Sequence, residues 1–217
     1  IIDEFSYRIV SEGAMGSEAV SISEQSRNRR NRSTIKAYPH FLSFLRGTLG
    51  FSLLKAYNVR TENMDLLERI PPPYVLLPNH QMTWDPFILN TLIKDPVFFV
   101  TSDIQFRNKF VAFLLKFVGA IPKSKFISDF ETIRLIMAAK KQNGIIGIFP
   151  EGRRTWDGHT NKLIYSTAKL VKLLKLPVIV PILKGGYLSL PRWSKYRRRG
   201  SMIFSFKQGL SVEEVTS

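Results

Sequence analysis

Tyr74-Val75-Leu76-Leu77-Pro78-Asn79-His80-Gln81-Met82-Thr83-Trp84-Asp85 decides how this chain is read. The apolar run Tyr74 to Leu77 is short enough for a buried strand. It breaks into a polar loop that carries His80 and Asp85 in the pattern N-H-x-x-x-x-D. The same grammar recurs about seventy residues later, where Gly144-Ile145-Ile146-Gly147-Ile148 leads into Phe149-Pro150-Glu151-Gly152-Arg153-Arg154-Thr155. In an open α/β sheet, ligands bind beyond the carboxyl ends of the strands. Two polar loops in that position can converge on one pocket.

The rest of the chain repeats strand and helix in alternation. Strand-like runs occur at Val97 to Val100, Pro177 to Leu183 and Met202 to Phe206, and Val59 reads as a short strand. Helical spacing of apolar residues appears from Ile35 to Tyr57, Gln105 to Val118, Ser128 to Lys141 and Asn161 to Leu176. Asp85-Pro86 reads as a helix start, with aspartate as N-cap and proline in the first turn. This alternation predicts an α/β fold with a largely parallel sheet flanked by helices, preceded by an amphipathic helical segment. No closing helix is expected after the last strand.

Composition narrows the chemistry. Among 217 residues there is no cysteine, which excludes disulfides, thiolate metal sites and a cysteine nucleophile. That is compatible with a reducing compartment. The net charge is +15, yet residues 1–24 hold five of the 17 acids and one of the 32 bases. The remainder is strongly basic and calls for an anionic partner: nucleic acid, phospholipid headgroups or an acidic carrier. Residues 1–24 differ from the rest and include Gly13-Ala14-Met15-Gly16-Ser17, which resembles a cloning scar. No segment is apolar over the ~20 residues that a spanning helix needs. The best candidate, Phe41 to Val59, is interrupted by Arg46 and Lys55.

His80 and Asp85 suit acid–base work. A carboxylate on one ring nitrogen leaves the other free to accept a proton, and imidazole titrates near neutrality, at about 6.5 when unperturbed. The plain alternative is a structural histidine beside a helix cap. In the second loop Gly152 permits a tight turn, and Arg154 offers a planar fork for phosphate. Glu151, among bases, would pair with an arginine or meet a substrate hydroxyl. The alternative is a strand-to-helix turn with solvated charges. Gly119-Ala120-Ile121-Pro122-Lys123-Ser124-Lys125 places two lysines after a turn, where they face either an anion or water. No G-x-S-x-G elbow, P-loop or G-x-G-x-x-G is present, and the three histidines are too scattered to argue for a metal. The stretch Arg192 to Arg199, interleaved with Trp193 and Tyr196, has the charge for single-stranded nucleic acid but no accompanying recognition motif.

These blocks resemble the glycerolipid acyltransferase family, whose best-known members are 1-acylglycerol-3-phosphate acyltransferases. His80 and Asp85 are similar to its H-x4-D motif. Phe149 to Thr155 resembles its F-P-E-G-T-R-S block, with Arg153 in place of threonine and Thr155 in place of serine. Gly119 to Lys125 is similar to its G-x-x-F-I-x-R block, with Pro122 for phenylalanine and Lys125 for arginine. Val180-Pro181-Ile182 matches V-P-[IV]. The resemblance covers Tyr38 to the C-terminus. It implies a fatty acyl transferase with His80 as general base, Asp85 orienting it, and no cofactor or metal beyond an acyl-CoA or acyl carrier protein donor; with no cysteine and no serine elbow, no acyl-enzyme is expected.

By the same resemblance Glu151, Gly152, Arg153, Arg154 and Lys125 bind the acceptor. Lysophosphatidic acid is the first choice; another lysolipid or glycerol 3-phosphate is the alternative, and a basic nucleic-acid-binding module a distant one. The implied organisation is a leader or tag at 1–24, a basic and amphipathic membrane-docking segment at 25–58, and an acyltransferase domain at 59–217. The implied location is the cytoplasmic side of an anionic membrane. The apolar stripe Phe41, Phe44, Leu45, Leu49 and Leu53 would lie in the interface or else pack on the sheet, and the helix from Phe106 to Phe117 is either the lining of an acyl tunnel or ordinary core.

Overall fold

A computed structural model describes residues 35–123 and 130–216. The leader at 1–24, the arginines between Arg27 and Arg32, and Lys125 lie outside the described residues. From Lys36 onward the chain builds an α/β body around a seven-stranded sheet. The strands are β1 (Val59–Glu62), β2 (Val75–Leu76), β3 (Val97–Ser102), β4 (Ile121–Lys123), β5 (Ile145–Gly147), β6 (Val178–Lys184) and β7 (Met202–Gln208), in the spatial order β1-β7-β6-β2-β5-β3-β4. Every neighbouring pair is parallel except β6 and β7.

The central strands read as unbroken apolar runs because both faces are covered, as a parallel sheet requires. Val75, Leu76, Ile145, Ile146 and Ile179 are fully buried. β2 and β5 are adjacent, with Leu76 opposite Gly147. The two polar loops therefore leave the same edge of the sheet side by side, which is what the two sequence blocks require.

The long helix α1 comprises Pro39–Leu45, one π-helical stretch Arg46–Gly50, and Phe51–Ala56. The stripe expected to face a membrane mostly faces protein. Leu53 is buried with the main core and Leu49 packs against it. Leu42 is buried in a second cluster that takes in Leu45, and Phe41 meets Phe117 at 4.8 Å. Phe44 and Phe51 are the large apolar residues that α1 turns outward. Arg46 is also committed. Its guanidinium donates to the carbonyls of Asn90 (2.7 Å), Lys94 (2.7 Å) and Ile93 (2.8 Å), at the C-terminal end of helix α3 (Asp85–Leu92). The orphan carbonyls of a helix end need such donors, and a cation there also suits the dipole. Gly50 lets the two helices approach, since a Cβ there would strike Thr91.

The remaining helices are α2 (Leu66–Arg69), α4 (Lys109–Phe117), α5 (Phe130–Lys141), α6 (Tyr165–Leu174), α7 (Gly186–Ser189) and α8 (Val212–Thr216). Two elements depart from expectation. Ile121 to Lys123 pairs with β3 as an edge strand rather than forming a plain turn; an edge position tolerates Pro122. Helix α8 follows the last strand, where none was expected. Its start is a capping box: Ser211 N–H donates to Glu214 Oε2 at 2.7 Å, and Glu214 N–H to Ser211 Oγ at 3.3 Å. Among the described residues no helix is long and apolar enough to cross a membrane.

Candidate active site

The site is built on the loop after β2. Asp85 is not the cap of α3. It is the first residue of that helix, and its carboxylate turns inward, where it is fully buried. Asp85 Oδ2 accepts from Gln81 N–H (2.7 Å), Met82 N–H (2.9 Å) and the ring Nδ1 of His80 (2.9 Å). The backbone of residues 81 and 82 therefore wraps around the carboxylate that orients the imidazole. With the proton held on Nδ1, Nε2 is left as an acceptor. The ring stacks on Phe149 at 3.9 Å, and Phe149 stacks on Phe99 at 5.4 Å, so the imidazole is fixed on one face as well as at one nitrogen. The His80 side chain keeps 18% of its surface exposed. It is open enough to meet a substrate. Among the described residues no group hydrogen-bonds Asp85 Oδ1. An unsatisfied buried oxygen is a cost that asks for a functional reason.

The neighbours of His80 anchor the loop. Asn79 donates to the carbonyl of Leu183 (2.9 Å) and accepts from its N–H (2.7 Å), extending the β2–β6 pairing by a side chain. Gln81 Oε1 accepts from Gly186 N–H at 2.8 Å and Tyr187 N–H at 3.3 Å.

The loop after β5 reaches across to the same histidine. Glu151 is buried, with Oε1 accepting from the backbone N–H of His80 at 3.0 Å. Its Oε2 accepts from both the backbone N–H (2.8 Å) and the side-chain amide (2.7 Å) of Asn161. The arginine pairing expected of Glu151 is not made among the described residues. Its lone pairs go to N–H donors, and the carboxylate clamps the main chain beneath His80. Thr155 completes the clamp, donating its N–H to the His80 carbonyl at 2.9 Å. Gly152 has φ of +63°, a region that favours glycine, and a Cβ there would meet Ile164.

Arg154 donates to Thr83 Oγ at 2.7 Å and so lies across the first loop. Partial burial, and then the nearby charge of Arg192, push its pKa below the usual guanidinium value, while Asp85 opposes them; a guanidinium nonetheless stays charged. Among the described residues no carboxylate pairs with it. A partly desolvated cation without a counter-charge is suited to an anion. Arg153 is exposed and has no such placement.

A cavity of about 750 Å³ adjoins these residues, within the ~300–1,000 Å³ typical of small-molecule sites. Asn79, Pro150 and Glu151 line it together with an apolar set: Leu77, Val180 and Ile182 from the sheet side, Ile164, Ala168 and Val171 from α6 and its approach, and Val215 from α8. The helix from Phe106 to Phe117, expected to line a tunnel, contributes nothing to this cavity. It packs on α1 instead, with Phe106 and Leu115 against the Leu42 cluster and Phe117 against Tyr38 and Phe41. Of its apolar residues, Phe106, Leu115 and Phe117 are partly buried in this packing, while Phe113 is exposed. The lining of this cavity was harder to see in the sequence, because it is assembled from four segments far apart in the chain.

A model of the acyltransferase family matches residues 58–184. That is more than half of the chain, and the protein belongs to the acyltransferase family. Among solved structures, the crystal structure of the 1-acyl-sn-glycerophosphate acyltransferase PlsC from Thermotoga maritima is similar in fold. The TM-score is 0.67 at 15% sequence identity, over 89% of this chain and 80% of that one. A comparison with curated proteins found no match.

Proposed function

We propose that the protein moves a fatty acyl group from a coenzyme A or acyl carrier protein thioester to a hydroxyl of a lysoglycerophospholipid, at the cytoplasmic face of an anionic membrane. The observation that carries the chemistry is the imidazole of His80, tied at Nδ1 to buried Asp85 and free at Nε2. Nε2 takes the proton of the acceptor hydroxyl as its oxygen attacks the thioester carbonyl. The tetrahedral adduct then collapses, the C–S bond breaks, and the imidazolium returns its proton to the leaving thiolate. Ester and thiol are the products. No acyl-enzyme is formed, since the acceptor oxygen is itself the nucleophile.

Acceptor choice rests on Arg154, whose guanidinium faces the His80 loop without a carboxylate partner. A phosphate monoester would satisfy it, and 1-acylglycerol 3-phosphate is the first choice, in keeping with the substrate that names the Thermotoga maritima enzyme. The test is an acyl-transfer assay with lysophosphatidic acid, other lysolipids and glycerol 3-phosphate against both donors. Preference for lysophosphatidic acid supports the assignment; preference for glycerol 3-phosphate or a zwitterionic lysolipid overturns the acceptor. Label from a radioactive donor appearing on the protein in the absence of acceptor, in a form competent to transfer, would refute direct attack.

Arg154→Ala should raise the acceptor KM at least about tenfold with little change in the donor KM, since a charge-assisted hydrogen bond is worth roughly 1.5–3 kcal/mol. Movement of the donor KM alone would mean that Arg154 holds the donor's phosphates.

The cavity beside α6 is the natural place for an acyl chain. Val180→Phe should narrow it and shift donor preference to shorter chains. Each methylene no longer buried costs about 0.8 kcal/mol, or roughly fourfold in relative kcat/KM. An unchanged chain-length profile from a folded variant would remove the cavity from the acyl path.

A further inference from the structure

We propose that the turn from Arg192 to Arg199, with Trp156 beside it, is the surface on which the protein docks to anionic lipid headgroups. The inference deepens the reading above, in which the acceptor is a lipid, by naming the face that meets the bilayer.

Five bases, Arg192, Lys195, Arg197, Arg198 and Arg199, stand in this stretch without an acid. Among the described residues no carboxylate pairs with any of them. The turn is held in shape by hydrogen bonds to its own backbone, to Ser194 Oγ and to the preceding Ser189. Ser194 N–H donates to the Pro191 carbonyl at 3.0 Å, Tyr196 N–H to Ser194 Oγ at 3.2 Å, and Arg198 N–H to the Ser189 carbonyl at 2.8 Å. Arg197 is the pin: it donates to the carbonyl of Ala56 at 2.6 Å and lies over the ring of buried Tyr57 at 5.6 Å. The other four cations have no carboxylate counter-charge among the described residues, and two of them, Arg192 and Arg198, lie over indole rings on a surface already formed.

Large rings share that surface. Tyr196 is 83% exposed, Trp156 60% and Trp193 50%. Amphipathic rings among lysines and arginines match the headgroup layer of a bilayer, where an apolar body and a polar tip are both accommodated. Nucleic acid fits less well. The stretch has the charge and rings that single strands use but no accompanying recognition motif; a guanidinium lies over one face of each indole, Arg192 over Trp156 at 5.8 Å and Arg198 over Trp193 at 5.3 Å. The outward face of α1 is the rival membrane contact. It offers Phe44 and Phe51, but Arg46 is consumed by α3. The turn also has the better position. Arg192 sits on Trp156, two residues from Arg154, and its charge is felt at that guanidinium. Docking here would hold the acceptor-phosphate site at headgroup depth.

The test is co-sedimentation of the full chain with phosphatidylcholine vesicles, with and without phosphatidylglycerol, at low and high salt. The wild type should bind only when phosphatidylglycerol is present, and salt should weaken it. The triple variant Lys195→Gln, Arg198→Gln, Arg199→Gln should bind roughly a hundredfold more weakly, at about fivefold per cation lost. Trp193→Ser with Tyr196→Ser should lose roughly tenfold through unburied ring surface. Arg199→Gln alone, an exposed site, gives the fivefold arm should a multiple variant fail to fold.

Binding without dependence on phosphatidylglycerol, or loop variants that bind as wild type, overturns the proposal. So does loss of binding through Phe44→Ser and Phe51→Ser alone, or tighter binding to a single-stranded oligonucleotide than to the vesicles. Transfer from short-chain acyl-CoA to a short-chain, water-soluble lysophosphatidic acid without vesicles separates the two readings. Loop variants that keep this activity while losing the vesicles support docking. A wild type that binds vesicles but acylates no acceptor leaves the surface standing and sinks the enzymatic assignment instead.

Discussion

Replacing His80 with alanine should abolish acyl transfer while the protein stays folded. General-base catalysis is worth ~10²–10⁴-fold, and this ring is the group whose free nitrogen faces outward from a buried carboxylate. The structural cost is modest. The ring keeps 18% of its side-chain surface exposed, and its loss removes one stacking contact with Phe149, worth ~0.5–1.5 kcal/mol. Asp85→Asn should be slower than wild type by a large factor, yet faster than His80→Ala. The amide oxygen can still accept from Gln81 and Met82 N–H. Its nitrogen, however, is then driven into the place of Oδ1, where no described group accepts from it, and His80 Nδ1 loses its charged partner. Turnover and circular dichroism of both variants decide the matter. Near-normal turnover from folded His80→Ala would remove the histidine from the mechanism.

Much of this site is legible in the sequence, for a definite reason. In a parallel sheet the strands are buried on both faces, so they appear as uninterrupted apolar runs, and the first polar residues after them mark the functional edge. Val75-Leu76 and Ile145-Ile146 announced themselves in that way, and His80 and Glu151 follow them directly. The alternation does not tell which strands are neighbours. That β2 lies between β5 and β6 is a tertiary fact, and it is what brings Glu151 under His80. The partners of Glu151, in place of the ion pair expected of it, were not legible for the same reason. Among arginines a glutamate reads as an ion-pair partner, whereas its real partners are main-chain N–H groups that carry no sequence signature. For Asp85 two roles competed, helix cap or partner of His80; Asp-Pro is a genuine helix start, but the carboxylate turned to the loop before it and to the imidazole. The stripe of α1 was a periodicity correctly seen, but an amphipathic face does not state whether protein or lipid covers it, and most of this one packs on protein while Phe44 turns outward. Helix α8 could have been found, because Ser211-Val212-Glu213-Glu214 is a capping box in plain view.

Glu151 supports the second large expectation. Three N–H donors end on its carboxylate, two from the main chain at His80 and Asn161 and one from the Asn161 amide. Glu151→Ala leaves all three without their acceptor in a buried place. At ~1–3 kcal/mol for each unsatisfied donor, the loss is a large part of the ~5–15 kcal/mol that holds an ordinary domain together. Alanine should therefore give little soluble protein. Glu151→Gln is the informative variant. One oxygen remains, so one side of the clamp survives, and the new amide nitrogen meets an N–H donor on the other. A loss of about 2 kcal/mol would lower Tm by roughly 4–8 °C in a chain of this size. If His80 is the end set free, the imidazole drifts against Asp85, and kcat falls while the acceptor KM stays near wild type. A glutamate that bound the acceptor itself would behave in the opposite way, raising the acceptor KM and leaving Tm alone. Thermal melts and a split of kcat from KM for the single variant Glu151→Gln thus decide whether this residue holds the substrate or the base that acts on it.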